Sequence, residues 1–410
     1  MVTVDVVVLG GGAAGLAASR TLLGRGYSVL LVEKEGHTGG RAAGYACKAT
    51  DDCQQCQVCL VADEARALTG ADQLKMLVFS SLKGVQNQNG SFQLDVAQGP
   101  ICVDPQRCIL CGRCVDACPA GAIRLPPPGF PPASASVDPE ICRARNAQTC
   151  RACVEACPTG AIDLQAAART HRVRCRAIIV ATGFQPFDPR QLPRLGYGRV
   201  PGVITAEELE RRMRGDPGGL AAFKRVAFVQ CVGSRNVTLG RGYCSQVCCR
   251  YALRLAARLR RDDPGRRVAI FYMDLQVSGK DVRMRWEELG RGVELIQGAP
   301  ASIVAGEAEV LVRYEDLRQG RVRQEPFDLV VLSVGMGASP HNVELARLLG
   351  LNLDPHRFFA TQERGHGSTS RRGVWVAGSA AGPTDIGGAI RQGRSVALAV
   401  ARQLEDRRHA

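Results

Sequence analysis

No stretch of this 410-residue chain approaches the run of about 18 apolar residues that a membrane-spanning helix needs, so no membrane span is expected. A secretory signal is missing too. Val4 to Leu9 reads as a buried strand with Asp5 near its start and no basic segment before it, which predicts a cytoplasmic protein. Histidine is scarce: the six present form no acid–base array, and His37 and His366 sit in glycine-rich loops that read as cofactor-side or solvent-facing. No catalytic residue is assigned on this basis. Lysine supplies only six of the 53 basic residues, which reads as coding bias rather than function. With 45% apolar content the chain is long enough for two or three cores.

Cysteine, in contrast, is abundant. Eighteen cysteines, clustered rather than scattered, point to metal ligands in a reducing compartment. One run reads Cys108-x2-Cys111-x2-Cys114-x3-Cys118-Pro, and a second reads Cys142-x7-Cys150-x2-Cys153-x3-Cys157-Pro. Runs of this kind, each closing on Cys-Pro, are the form taken by two-cluster [4Fe–4S] ferredoxins, in which the fourth cysteine of each run crosses to the other cluster. That rule puts Cys108, Cys111, Cys114 and Cys157 on one cluster, and Cys142, Cys150, Cys153 and Cys118 on the other. A zinc ribbon or a disulfide framework does not call for the x3-Cys-Pro ending. The long spacer makes Cys142 the exception to the pattern, with 143–149 expected to loop out. Between the runs, Leu125 to Pro139 is a stiff, proline-rich connector.

The N-terminal segment reads as strand, tight turn, helix, strand. Its apolar strand runs into Gly10-x-Gly12-Ala13-Ala14-Gly15, and Glu33 closes the second strand, followed by Lys34. Gly10 suits the turn, Gly12 lets backbone approach a pyrophosphate, Gly15 lets helix and strand meet, and Glu33 can accept from ribose hydroxyls. Gly39-Gly40-Arg41, the later strand ending Ala181-Thr182-Gly183, and the last strand-to-helix unit through Gly378 to Asp385 and Ile386 favour FAD over NAD. These resemble the scattered FAD contacts of the thioredoxin and disulfide reductase-like flavoproteins, in which the last helix aims its N-terminus at the flavin. The usual Gly-Asp after the last strand is Gly378-Ser379 here, so Asp385 is the candidate acidic contact.

Residues 200 to 335 read as a second dinucleotide-type domain, with strands at 225–230 and 267–273, helices at 251–261 and 281–289, and a returning strand from Phe327. Its first strand ends in Gln230-Cys231-Val-Gly-Ser-Arg, so the glycine cradle for a nicotinamide cofactor is missing. In its place Cys231, Cys244, Cys248 and Cys249 gather where a strand end meets a helix start, either as cluster ligands of unusual spacing or as buried or redox thiols. Cys47, Cys53, Cys56 and Cys59 fall within thirteen residues, too close to pair freely as disulfides. Iron–sulfur is the reading favoured there, with zinc as the competitor. Four sets of four leave Cys102 and Cys175, both in apolar surroundings and expected in the core. The formal charge of +14 would suit nucleic acid, but four clusters at about −2 each and a flavin at about −2 cancel most of it. An arginine stripe (Arg250, Arg254, Arg258, Arg261) reads as a solvated face or a docking surface for an acidic ferredoxin-like partner, and no nucleic-acid partner is expected.

Taken together, the flavin fingerprint with Gly39-Gly40-Arg41, the inserted ferredoxin runs, Cys231-Val-Gly-Ser-Arg with Tyr243-Cys244-Ser-Gln-Val-Cys248-Cys249, and Gly382-Pro-Thr-Asp385-Ile resemble the heterodisulfide reductase A-subunit family over nearly the whole chain. The resemblance implies an α/β fold: a two-dinucleotide-binding-domain flavoprotein of thioredoxin/disulfide reductase-like type with an inserted α+β two-[4Fe–4S] ferredoxin domain. The expected boundaries are an FAD domain at 1–100, continued at 170–199 and 336–410, the ferredoxin insert at 101–169, and the second domain at 200–335. It also implies that Cys231, Cys244, Cys248 and Cys249 ligate a non-standard [4Fe–4S] cluster. The implied function is FAD-dependent electron transfer, relaying or bifurcating, inside a larger complex with ferredoxin or a similar carrier and possible homodimer pairing; the substrate site would lie on another protein of that complex. Methanogen members carry further ferredoxin domains after the flavoprotein part, and their N-terminal cysteine cluster differs. The short form suits bacterial complexes. The alternative is an NAD(P)H-dependent enzyme resembling the flavoprotein subunit of glutamate synthase.

Overall fold

The computed structural model describes residues 1–88, 90–146, 149–215, 217–277, 292–362 and 367–409. The expected helix at 281–289 and His366 fall outside them.

Three strands whose residues are all buried, Val6–Leu9, Val29–Val32 and Ala177–Val180, form the centre of a five-stranded parallel sheet. Its order places Val374–Val376 at one edge and Leu74–Leu77 at the other. Such unbroken apolar strands suit a sheet covered on both faces. The helices Ala13–Leu23 and Ile386–His409 cover one face, packing closely because Gly393 lies against the Ala14 carbonyl and has no Cβ to collide with it. A mixed sheet of Val2–Thr3, Arg169–Cys175, Ser91–Gln98 and Ser80–Gln88 lies on the other.

The cysteine-rich segment leaves after Gln98 and returns at Arg169. Its two halves repeat one another: Ile123–Arg124 pairs antiparallel with Ser136–Val137, and Val103 bridges Ile162. The proline-rich connector is an anchor as well as a spacer. Phe130 is buried in the core of the five-stranded sheet, and Thr38 donates through both its N–H and its Oγ to the Pro131 carbonyl (2.9 and 2.8 Å).

The chain passes to the second unit beside a short antiparallel pair, Gln185–Pro186 with Met336–Gly337. That unit holds a parallel sheet in the order Val203–Thr205, Leu329–Val334, Arg225–Val232, Arg267–Tyr272, Val293–Gln297. One face takes the helix Cys248–Asp262. A three-stranded antiparallel layer, Ser302–Ala305, Val310–Asp316 and Arg321–Phe327, which the sequence reading lacked, contributes Val312, Tyr314 and Phe327 to the other. No helix among the described residues is long and apolar enough to cross a membrane.

The segment entering the first cysteine loop is pinned to this second unit by a buried ion pair. Lys48 (2% exposed) meets Glu210 (0%) of the helix Ala206–Gly215. Tyr45 and Tyr251 each place a ring 5.3 Å from the ammonium, and Glu210 also accepts from the Ala46 N–H at 2.6 Å. Losing one partner strands a charge in a dry site, which costs about 3–5 kcal/mol, whereas apolar replacement of both is often near neutral. Lys48→Met should therefore lower stability by several kcal/mol in denaturant melts, and Lys48→Met/Glu210→Met should recover most of the loss.

Candidate functional site

The dinucleotide turn gathers residues from four places in the chain. Gly10 adopts φ +102, and a Cβ there would strike the Ala181 carbonyl; a Cβ on Gly15 would strike the carbonyl of Gly10. These two glycines let the helix, its strand and the Ala181-Thr182-Gly183 segment close up. Gly12 differs: nothing lies within 4 Å of where its Cβ would be. It is the N-cap of the Ala13–Leu23 helix, so the open ground faces backbone amides and the positive end of the helix dipole, which fits a pyrophosphate. Gly40 meets that opening, where a Cβ on it would come 3.1 Å from Gly12 Cα, and Gly39 donates to the Gly11 carbonyl at 2.7 Å.

Glu33 accepts from Gly11 N–H at 2.6 Å and Glu35 N–H at 2.9 Å. Burial raises its pKa, against the lowering effect of those amides. Gly378 packs on Ala14. Other residues expected at the cofactor engage protein groups. Lys34 reaches His341 Nε2 (3.0 Å), and Arg41 holds the Phe184 carbonyl and Glu207 (both 3.3 Å). Asp385 accepts from Gly388 N–H (2.6 Å), capping the last helix just before Ile386, and pairs with Arg250 at 2.7 Å.

In the insert, two small cavities open beside the two cysteine helices Arg113–Asp116 and Ala152–Ala156. Cys118, Cys142, Cys150 and Cys153 line the first, and Cys108, Cys111, Cys114 and Cys157 line the second. Each set joins three thiols of one run to the last of the other. Electrostatics groups them identically. Burial raises the Cys114 pKa and Cys108, Cys111 and Cys157 add to it; burial raises Cys153 to about 11, with Cys118, Cys142 and Cys150 adding. Backbone amides point at sulfur where the chain turns: Ala122 N–H to Cys118 Sγ (3.2 Å) and Ala161 N–H to Cys157 Sγ (3.3 Å).

Cys142 sits as Cys108 does despite its longer spacer. Each donates its N–H to an Asp carbonyl four residues earlier, Asp138 (3.1 Å) and Asp104 (3.0 Å). The repeated Asp-Pro-x-x-Cys is the sequence signal that marks both as first cysteines. Part of the spacer folds as the turn Arg143–Arg145, and Arg145 ties it to the Leu164 carbonyl at 2.8 Å.

The strand Arg225–Val232 ends in a left-handed kink at Cys231 (φ +59) rather than a glycine cradle. Gly233 follows, but its Cβ position is taken by the ring of Phe187, itself 2% exposed. Fifteen residues separate this strand from the helix, which starts at Cys248 rather than 251 and so carries Cys248 and Cys249 on its first turn. Burial pushes Cys231 up to about 11 with Cys249 and Cys244 adding, and burial raises Cys248 with Cys231, Cys249 and Cys244 adding, so the four share one environment. Gln230, Ser234 and Ser333 bury polar atoms there without protein partners. Such groups cost about 1–3 kcal/mol each unless something accepts or donates to them, and a sulfur-rich group fits.

Cys47, Cys53, Cys56 and Cys59 lie on a loop and the first turn of Val58–Arg66, mostly exposed. The turn at Cys53 repeats the one at Cys244. Gln55 and Gln246, each two residues on, are left-handed (φ +49 and +61) and give their N–H to the cysteine sulfur, at 3.4 and 3.2 Å. The Cys-x-Gln pairs are visible in the sequence but carry no meaning there until the turn is seen. Among the described residues no group of three or more Cys, His, Asp or Glu side chains is drawn in tightly enough to hold a single metal ion directly. Cys102 and Cys175 are buried core residues, and burial takes Cys175 up to about 12.

The family described as "Pyridine nucleotide-disulphide oxidoreductase" matches residues 4–393. The iron–sulfur A-subunit of CoB–CoM heterodisulfide reductase from Methanocaldococcus jannaschii is 33% identical over 96% of this chain and 63% of its own length. The A-subunit of the H2:CoB-CoM heterodisulfide,ferredoxin reductase of Methanothermobacter marburgensis is 31% identical over 98% and 64%. The A-subunit of the ferredoxin:CoB-CoM heterodisulfide reductase of Methanosarcina mazei is 32% identical over 98% and 53%. The chain thus spans less than two thirds of these relatives. Among solved structures, thioredoxin reductase from Lactococcus lactis aligns with TM-score 0.55 and 16% identity over 98% of this chain and 99% of that one. Thioredoxin reductase from T. acidophilum gives 0.53 and 15% over the same shares. Those likenesses bear on the fold alone, and they match the two-unit architecture expected from the sequence.

The glycine geometry separates packing from binding. Gly15→Ala should lower the melting temperature markedly, whereas Gly12→Ala should melt with the parent and lose dinucleotide affinity when titrated with FAD.

Proposed function

Because the chain belongs to the pyridine nucleotide-disulphide oxidoreductase family, we propose that it is the FAD- and [4Fe–4S]-bearing electron-transfer subunit of a heterodisulfide reductase-like complex. The observation that carries this is the coexistence of an open dinucleotide cradle at Gly12 with two cavities lined by crossed sets of four cysteines. Gly10 to Gly15, Glu33, Gly40, the Ala181-Thr182-Gly183 segment and Gly378 would hold FAD. The two ferredoxin sets and Cys231, Cys244, Cys248 and Cys249 would hold three clusters, and Cys47, Cys53, Cys56 and Cys59 a fourth. Flavin and clusters together supply two-electron and one-electron redox chemistry. The protein's own part is to space the thiols, to aim amides at the sulfurs, and to lay the last helix with its positive end toward the dinucleotide domain.

The relatives' names supply the rest of this reading: other subunits of the complex and ferredoxin or a similar carrier as partners, with the disulfide or other substrate site elsewhere. The turn shared with Cys244 supports iron–sulfur over zinc at the first loop. The NAD(P)H-dependent alternative is disfavoured by Phe187, whose ring fills the turn after the first strand of the second unit, where a pyrophosphate would need glycine.

Two measurements test the reading. Under anaerobic conditions NADH or NADPH alone should leave the flavin absorbance unchanged while a one-electron low-potential donor bleaches it; rapid bleaching by the nicotinamide would favour the alternative. Cys118→Ser should cost about four irons and remove the paramagnetic signal of the centre shared with Cys142, Cys150 and Cys153. Loss of the Cys108 centre instead would refute the crossed assignment.

A further inference from the structure

The arginine stripe on the helix Cys248–Asp262 is neither a solvated face nor a free docking surface. Each of its residues grips something in the same molecule. Arg250 pairs with Asp385, the cap of the last helix, at 2.7 Å. Arg254 donates from Nε to the Gln54 carbonyl at 2.8 Å and from Nη2 to the Gln55 carbonyl at 3.1 Å. Arg258 donates to the Ala49 carbonyl at 3.3 Å while its Nε holds Asp262 at 2.9 Å, and Arg261 lies 3.4 Å from Asp51. Asp385 and Asp262 aside, every one of these acceptors belongs to the stretch between Cys47 and Cys56. The same helix carries Cys248 and Cys249 at its start, so one rigid element holds two thiols of one cysteine set and the backbone of another.

Arg254 stands apart within the stripe. Arg250, Arg258 and Arg261 each have a carboxylate partner, whereas the hydrogen bonds of Arg254 end on carbonyls, and the carboxylate within its electrostatic reach, Asp385, is already paired with Arg250. It is half-buried and within electrostatic reach of Cys56 and Cys53. A partly desolvated guanidinium without a carboxylate is costly, and the anion at hand is the thiolate set of the loop. The loop it grips is itself held in an unfavourable shape, with Gln55 and Gln57 both left-handed on either side of Cys56.

We propose that Arg254 is the positioning and charge-balancing residue of the Cys47–Cys59 site: it fixes the Cys53–Cys56 turn against the second unit and makes the centre held there easier to reduce. Uptake of one electron adds one negative charge to that centre, and a fixed cation beside the sulfurs favours the more negative state. Arg254 itself exchanges neither proton nor electron. The inference rests on the proposed assignment of an iron–sulfur centre to this loop, and the test separates the two.

The experiment uses the cofactor-loaded full chain, with redox titration followed by electron paramagnetic resonance and with hydrogen exchange of residues 49–55. Cys56→Ser identifies the signal of this centre by deleting it with a loss of iron. Arg254→Gln should then make the centre at least tenfold harder to reduce, a shift of about 59 mV to more negative potential for one electron, with iron content unchanged. Arg254→Lys, which keeps the charge, should recover most of that shift. Arg258→Gln/Asp262→Asn, which loosens the loop while removing a charge pair and so leaves the net charge as it was, should speed exchange at 49–55 and leave the potential in place. An unchanged potential in Arg254→Gln, with the signal present, overturns the role of Arg254 alone. Unchanged iron in Cys56→Ser overturns the assignment beneath it and the proposal with it.

Discussion

At two of the cysteine sites a backbone N–H is turned back onto the sulfur two residues earlier by an L-residue in the left-handed region, Gln55 on Cys53 and Gln246 on Cys244, at a cost of about 1–3 kcal/mol each. Among the described residues eight non-glycine positions have positive φ, and five of them, Gln55, Gln57, Leu110, Cys231 and Gln246, are a cysteine of the four sets or stand within two residues of one. Strain of this kind persists only where the surroundings over-determine it. Here the surroundings are a buried ion pair under Lys48, a phenyl ring at Gly233, an arginine ladder across the first loop, and Phe130 anchoring the insert. These contacts, set on the cores of the two parallel sheets, hold those turns shut.

That constraint accounts for the most unusual feature of the second unit. A parallel sheet of this type places its ligand at the carboxyl ends of the strands, by way of a tight glycine turn into a helix. In this chain the first strand keeps its position but the turn is replaced by fifteen residues that bring Cys244 round to Cys231 and deliver Cys248 and Cys249 on the helix start. On the proposed assignment the location where such folds bind would be retained while the chemistry of the donors changes from amide to thiol. Function thus follows the site rather than the fold, and the likeness to thioredoxin reductases extends to the architecture and no further.

Much of this was legible in the residues. The glycine turn, its acidic partner at Glu33, the crossed cysteine runs and the absence of a second cradle all depend on local spacing, and local spacing is what a sequence states directly. The long spacer before Cys150 is reconciled with the shorter first run by the repeated Asp-Pro-x-x-Cys turn at Asp104 and Asp138. The partners of the arginine stripe are not legible in the sequence. Helical periodicity says which side chains share a face, not what lies opposite, and the loop at 49–55 is about two hundred residues away in the chain. Asp385 shows the same limit: its acidity was evident, but its engagement as a helix cap with Arg250 as partner comes only from the tertiary structure. The antiparallel layer at 302–327 alternates too weakly between apolar and charged residues to stand out beside the continuous apolar strands of the parallel sheets.

The central claim is that four cysteine sets and one dinucleotide cradle on a single chain serve one redox purpose. The most direct measurement is quantitative: iron, acid-labile sulfide, zinc and FAD per chain in protein purified without oxygen. The account predicts roughly sixteen irons with matching sulfide, one FAD and negligible zinc. Zinc at the first loop, or iron that stops at the eight or so that the insert alone would carry, would contradict it.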